Sequence, residues 1–168
     1  MSKPRRKYKP KGVRLDAMAY IKSGFMKVAK VPEAGVTLIA KNHSALDEIM
    51  FGRGDRDHTD ILIHAFNQAE AIATLFPEKG ADWLPEIGEA QDAIYNMGKR
   101  GVAGKGFIFT GPEIQAVKLA LSVHDQQLEE TSVREIEEAI EYVASRIRAK
   151  KVRVIQSLEK EHADATNH

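Results

Sequence analysis

The sequence predicts an all-α protein: a compact bundle of about five to six helices, with a C-terminal antiparallel helical hairpin and an extended basic N-terminal arm. Three observations carry that expectation. Apolar residues recur in steps of three and four along most of the chain, the pattern of helices with one buried face. Strong helix starts and stops punctuate those runs. The one strand-like run, Val36-Thr37-Leu38-Ile39, has no evident partner strand elsewhere. The 168 residues fit one domain by length, divided into a basic flexible arm (1–13), a helical domain (14–156) and a polar tail (157–168).

In the arm, Pro4 and Pro10 disfavour helix and Gly12 adds backbone freedom. Leu15 to about Gly24 reads as a short helix, with Leu15, Met18, Ala19 and Lys22 on one face. Pro32 and Gly35 mark a loop. Leu38, Ile39, Asn42, Leu46, Ile49 and Met50 fit a helical stripe, ended by the turn Gly52-Arg53-Gly54-Asp55. Asp57 or Thr59 is expected to cap the next helix, whose stripe runs through Ile61, Ala65, Ala69, Ile72, Ala73 and Phe76. Pro77 and Gly80 stop it.

A further helix begins near Asp82 with Pro85 in its first turn. Leu84, Ile87, Gln91, Ile94 and Gly98 form its seam, and the glycines from Gly98 to Gly106 predict a flexible connection. Phe107-Ile108-Phe109 is expected to plug the core. Thr110-Gly111-Pro112-Glu113 is a strong helix start, with a hydroxyl cap, an early proline and a first-turn acid. Its seam is Ile114, Val117, Leu121, His124 and Leu128. Thr131 or Ser132 caps the last helix, with seam Val133, Ile136, Ile140, Val143 and Ile147. The short turn between these two helices predicts that they pack antiparallel.

Composition removes several function classes. Without cysteine there is no disulfide framework, thiolate metal site or cysteine nucleophile. No apolar run approaches the roughly 20 residues that span a bilayer, and the basic N-terminus has no apolar stretch of a secretory signal behind it. The expectation is a cytoplasmic protein without a membrane role. Net charge is only +1, but its distribution is uneven. Lys3, Arg5, Arg6, Lys7, Lys9, Lys11 and Arg14 precede the first acid, and Arg146, Arg148, Lys150, Lys151 and Arg153 form a second basic stretch.

No catalytic constellation emerges, so the expectation is a non-enzyme with no cofactor and no metal. The glycine cluster Gly98 to Gly106 fails as a phosphate loop: position 99 is lysine, Gly106 follows Lys105, and a helix rather than a strand precedes it. His58 and His64 are six apart and fall on different helix faces. Asp60 and His64 share a face, the spacing of a local hydrogen bond. His124 stands where a seam residue is expected, and the default reading is a hydrogen-bonded core histidine. Asp55-Arg56-Asp57 reads as a capping turn, and the acidic run from Glu129 to Glu138 as a solvated face. That acidic start also argues against the last hairpin as a DNA-reading helix-turn-helix.

The arm is the most functional-looking segment. Clustered cations release counterions from a nucleic acid, and Tyr8 can stack on a base. The candidate nucleic-acid-binding residues are Arg5, Arg6, Lys7, Tyr8, Lys9, Lys11 and Arg14 in the arm, with Lys99, Arg100 and Lys105 from the glycine connection. Several stretches together carry a resemblance. They are Arg5-Arg6-Lys7-Tyr8-Lys9-Pro10-Lys11, Lys41-Asn42-His43-Ser44-Ala45, Phe66-Asn67-Gln68-Ala69-Glu70-Ala71, Met97-Gly98-Lys99-Arg100-Gly101, Phe107-Ile108-Phe109-Thr110-Gly111 and Val123-His124-Asp125-Gln126-Gln127-Leu128. The chain resembles small helical proteins of unassigned function encoded by phages, prophages and mobile elements of Gram-negative bacteria. The resemblance implies a phage accessory protein acting in the host cytoplasm and supplies no catalytic residues. Two modes of action are expected: contact with DNA or RNA through the basic residues, or inhibition or recruitment of a host protein such as a defence or transcription component. A virion or assembly role and a homodimer built on the apolar seams are further alternatives.

Overall fold

The computed structural model describes residues 34–153. The arm, the helix expected from Leu15 to about Gly24 and the tail lie outside the described residues. All regular structure among the described residues is helical. Five helices follow one another: α1 (Ala34–Met50), α2 (Arg56–Leu75), α3 (Leu84–Arg100), α4 (Gly111–Glu130) and α5 (Val133–Arg148). The 36–39 run is therefore helix, as its stripe predicts.

Helix α2 is the axis, packing against α1, α3, α4 and α5. Its sequence explains this. Apolar or small residues on nearly every side make it a helix to be surrounded. Leu62, Ala65, Phe66, Ala69, Ala71, Ile72 and Ala73 are all buried, more than the single expected stripe. Alanines at 65, 69 and 73 let neighbouring backbones come close. The main core joins Leu46 and Ile49 of α1, Leu62 and Phe66 of α2, Ile94 and Met97 of α3, and Val117 and Leu121 of α4.

Helix starts are chemically explicit. Asp55, not Asp57 or Thr59, caps α2: its backbone is extended and its side chain accepts from the His58 N–H. Asp57 and Thr59 already lie inside the helix, where a side chain no longer reaches the free N–H groups of the first turn. Two short 3₁₀ turns, Pro77–Lys79 and Ala81–Trp83, come before α3. Between them Gly80 takes φ 134°, and a Cβ there would crowd the Gln127 amide. Thr110 and Glu113 form a capping box at the start of α4, and Ser132 and Glu135 another at α5. Thr131 instead closes α4, its hydroxyl bonding to Gln127 O.

The expected antiparallel α4–α5 hairpin does not form as a packed pair. Helix α5 lies along α2, and meets α4 near the turn, where Leu128 and Ile136 share a cluster. The register of α5 shifts accordingly. Ile136 and Ala139 are buried and Val143 is half-buried, while Ile140 and Ile147 are each 48% exposed. Small Ala139 lets α5 approach Ala71 and Ile72 of α2, and a seam through Ile140 would hold the backbones apart. This register also sets Arg146 beside Glu70 of α2. The aromatic plug is partial: Phe109 is buried, Phe107 is half-buried, and Ile108 is 57% exposed.

Candidate functional site

A groove of about 490 Å³ opens between α2, α3 and the residues that follow α5. Such a volume is ordinary for a small-ligand site. Its floor is apolar, with Ile63, Ile94, Val102, Phe107 and Val143. Phe107 owes its place to Gly101, where any Cβ would collide with the Phe107 ring. Gly101 opens a single π-type turn, Gly101–Lys105, that extends α3. Gly98, the expected start of the flexible connection, therefore lies buried inside α3, and helical winding runs on until Gly104 adopts φ 79°.

The polar side of the groove centres on Gln91. Its amide nitrogen lies 3.5 Å from Phe66 O, 3.3 Å from Asn67 Oδ1 and 3.1 Å from Glu70 Oε2. Three acceptors compete for two N–H groups. Among the described residues, nothing donates to Gln91 Oε1 and nothing accepts from Asn67 Nδ2. Glu70 in turn holds Arg146, at 3.0 Å.

Cations ring the opening. Arg56, Arg146, Lys151 and Arg153 line it, against Asp60 and Glu70. Arg153 pairs with Asp92 at 2.6 Å and sits over the Tyr95 ring, 4.8 Å from its centroid. Lys99 lies 5.6 Å from the same ring. The end of α5 makes this possible. Lys150 adopts φ 55°, Lys150 N–H bonds to Ile147 O, and Lys151 N–H bonds to Arg146 O. That is a Schellman closure with lysine where glycine is usual, and it turns residues 151–153 back to the groove.

The residues expected from sequence fall into three groups. Arg5, Arg6, Lys7, Tyr8, Lys9, Lys11 and Arg14 lie outside the described residues. Lys99 borders the groove, and Lys105 is exposed on the π turn. Arg100 is structural in its contacts, forking onto both oxygens of Glu113 and donating to Ile108 O at 2.9 Å. Burial pushes the Glu113 carboxyl up, but Arg100 and the Thr110 N–H outweigh it and hold the group below its usual range. Arg100 therefore clamps the π turn to the start of α4.

Gln91, Asn67 and Tyr95 were not among the sequence candidates. Gln91 had left a trace: it is the polar residue on the otherwise apolar seam of α3. His124 leaves the same trace on α4 with a different outcome. It is buried, and burial pushes its pKa down to about 4, although Gln127 and Asp125 favour the charged form. His124 Nδ1 lies 3.4 Å from Gln127 Oε1, and the Gln127 amide donates to Ala69 O and Lys79 O. His124 is thus a neutral core histidine. His64 is exposed and makes no hydrogen bond with Asp60 among the described residues. An unexpected pair, His43 and Asp125 at 2.7 Å, links α1 to α4.

Among the described residues no group of three or more acids and histidines is arranged to hold a metal ion, and no helix is long and apolar enough to cross a membrane. No known protein-family model, curated protein or solved structure matches the chain.

Proposed function

We propose that this chain is a non-enzymatic accessory protein of the phage type that binds the backbone of a nucleic acid. The observation that supports this reading is the gathering of Arg56, Arg146, Lys151 and Arg153 around one groove, with Lys99 and Tyr95 on its border. Cations clustered at a concave surface gain affinity by releasing counterions from phosphates. The arm residues Arg5, Arg6, Lys7, Lys9, Lys11 and Arg14 add positive charge to the same chain. In this reading Lys99 and Lys105 keep their expected role, and Arg100 gives way to Arg153.

Fluorescence anisotropy with labelled DNA and RNA strands at two salt concentrations tests it. A steep loss of affinity with salt is expected, with a shallower slope after Arg146→Gln with Arg153→Gln and after removal of residues 1–12. Salt-insensitive binding, unchanged by both alterations, would end this reading.

The half-exposed pair Ile140 and Ile147, one heptad apart on α5, favours a second reading, in which a host-protein helix docks on that stripe. Ile140→Glu with Ile147→Glu would then abolish a stoichiometric host complex recovered by pull-down after nuclease treatment. Recovery of the same complex with both glutamates in place would remove the stripe from consideration.

A further inference from the structure

Resting on the backbone-binding reading, we infer that the α2–α3 groove holds one unpaired nucleobase, so that the preferred ligand is a single strand. The groove is a pocket of nucleotide scale, about 490 Å³, and not the broad face that a duplex requires. Its chemistry is divided as a nucleotide is divided. The floor formed by Ile63, Ile94 and Phe107 is apolar. The rim sets Arg56, Arg146, Lys151 and Arg153 against the carboxylates of Asp60 and Glu70, Glu70 holding Arg146, and this excess of positive charge suits phosphate. Between them stand the side-chain amides of Gln91 and Asn67.

Those amides are the informative part. Gln91 and Asn67 are half-exposed on the groove wall, so the polar atoms they do not spend within the protein face solvent, which a ligand can replace. Gln91 Oε1 and Asn67 Nδ2, an acceptor and a donor on neighbouring groove-lining side chains, have no partner among the described residues. A nucleobase edge presents donors and acceptors of the same kind, and bases freed from a duplex are read in this way on their exposed edges.

Tyr95 supplies the stacking element. Its ring is met by Lys99 and, more closely, by Arg153, whose other anchor is Asp92. That ion pair is exposed, with side chains 52% and 63% accessible, so it holds the guanidinium weakly. A base either stacks on the outer face of the Arg153 guanidinium or displaces it from the ring. Displacement frees the guanidinium for the adjoining phosphate. Both arrangements are familiar in single-strand recognition.

The experiment compares labelled strands of about 12 nucleotides, made as DNA and as RNA, with abasic DNA strands of the same length. The full chain is titrated against each at one salt concentration. The inference expects DNA with bases to bind about tenfold more tightly than abasic strands. Tyr95→Ala should erase most of that ratio, and Tyr95→Phe should keep it. Gln91→Ala should narrow the differences among homopolymers. Arg153→Gln should weaken all strands, with or without bases.

Equal affinity for intact and abasic strands overturns base capture and leaves backbone binding standing. So does a Tyr95→Ala loss shared equally by both, with unchanged far-ultraviolet circular dichroism. Absence of binding to any strand, at low salt, overturns both readings together.

Discussion

Two glutamines divide this molecule into a part that holds itself together and a part that faces outward. Gln127 is 3% exposed and reaches across the bundle. Its amide ties α4 to Ala69 O of α2 and to Lys79 O of the turn before α3, and His124 sits against its carbonyl. Gln91 is half-exposed, its N–H groups contested by three acceptors and its carbonyl without a protein donor among the described residues. Both interrupt an apolar seam. The arginines repeat the contrast. Arg100 spends its guanidinium on Glu113 and Ile108 O, whereas Arg153 rests on an exposed ion pair and a ring face. In the bundle's own ties, Gln127 is walled in and Arg100, though partly exposed, is partnered within the protein. The one at the groove, Gln91, is open and only partly committed.

The sharpest way to break the comparison is to remove Gln127. Gln127→Leu removes the amide bonds that tie α4 to Ala69 O and to the part-buried Lys79 O, and deprives His124 of its partner. A loss of about 3 kcal/mol is expected, read as a lower urea midpoint with unchanged slope. Gln91→Leu should cost less than about 1 kcal/mol by the same measurement. Equal costs for the two would erase the distinction.

His124 sharpens the comparison through pH. Its folded pKa, about 4, lies below the ordinary 6.5. The unfolded chain therefore binds the extra proton between those values. Stability from the neutral histidine is complete above pH 6.5 and is lost as pH falls through the window toward 4. The loss is about 3 kcal/mol across it. Denaturation midpoints at neutral and acid pH, for the native chain and for His124→Asn, isolate this part from the protonation of Glu113 and Glu135.

Next in size is Gly101→Ala, which forces a methyl into the Phe107 ring. About 2 kcal/mol of destabilisation is expected. Because Phe107 lines the groove, ligand affinity should fall as well. Glu113→Gln weakens the Arg100 fork and the capping box at Thr110 at once, at about 1–2 kcal/mol, with no effect expected on ligand binding beyond that of stability. The smallest effect belongs to Arg153→Gln. A change in stability within about 0.5 kcal/mol is expected, together with a measurable loss of affinity for nucleic acid. Stability loss comparable to that of Glu113→Gln would make Arg153 a structural residue.

Helix identities and ends were legible because they rest on local chemistry. The capping boxes at Thr110 and Ser132, the proline and glycine stops and the three-four spacing each act within one or two turns of their own residues. The cap of α2 is Asp55, within the expected capping turn but two and four residues before the expected Asp57 or Thr59. The cap is whichever polar side chain stands on the last extended residue, and several candidates were adjacent. The groove was harder to read. Lys99 came from the glycine cluster and Arg153 from a basic stretch far along the chain, and no spacing rule joins them. Gln91 and His124 gave identical signals on their seams, a polar residue among apolar ones. Only their surroundings made one of them a groove wall and the other a core residue.

The sequence by itself determined that this chain makes helices, where most of them begin and end, and which residues are apolar enough to be buried. Those properties follow from hydrogen bonds and side chains a few residues apart. Only the tertiary structure decided that α5 leaves α4 and lies on α2, because close approach depends on which small residues meet across helices. The same choice of register turned Arg146 to Glu70, carried Arg153 to Tyr95 and opened the groove between them. A groove formed by residues 56 to 153 exists only once packing has selected which helix faces are neighbours.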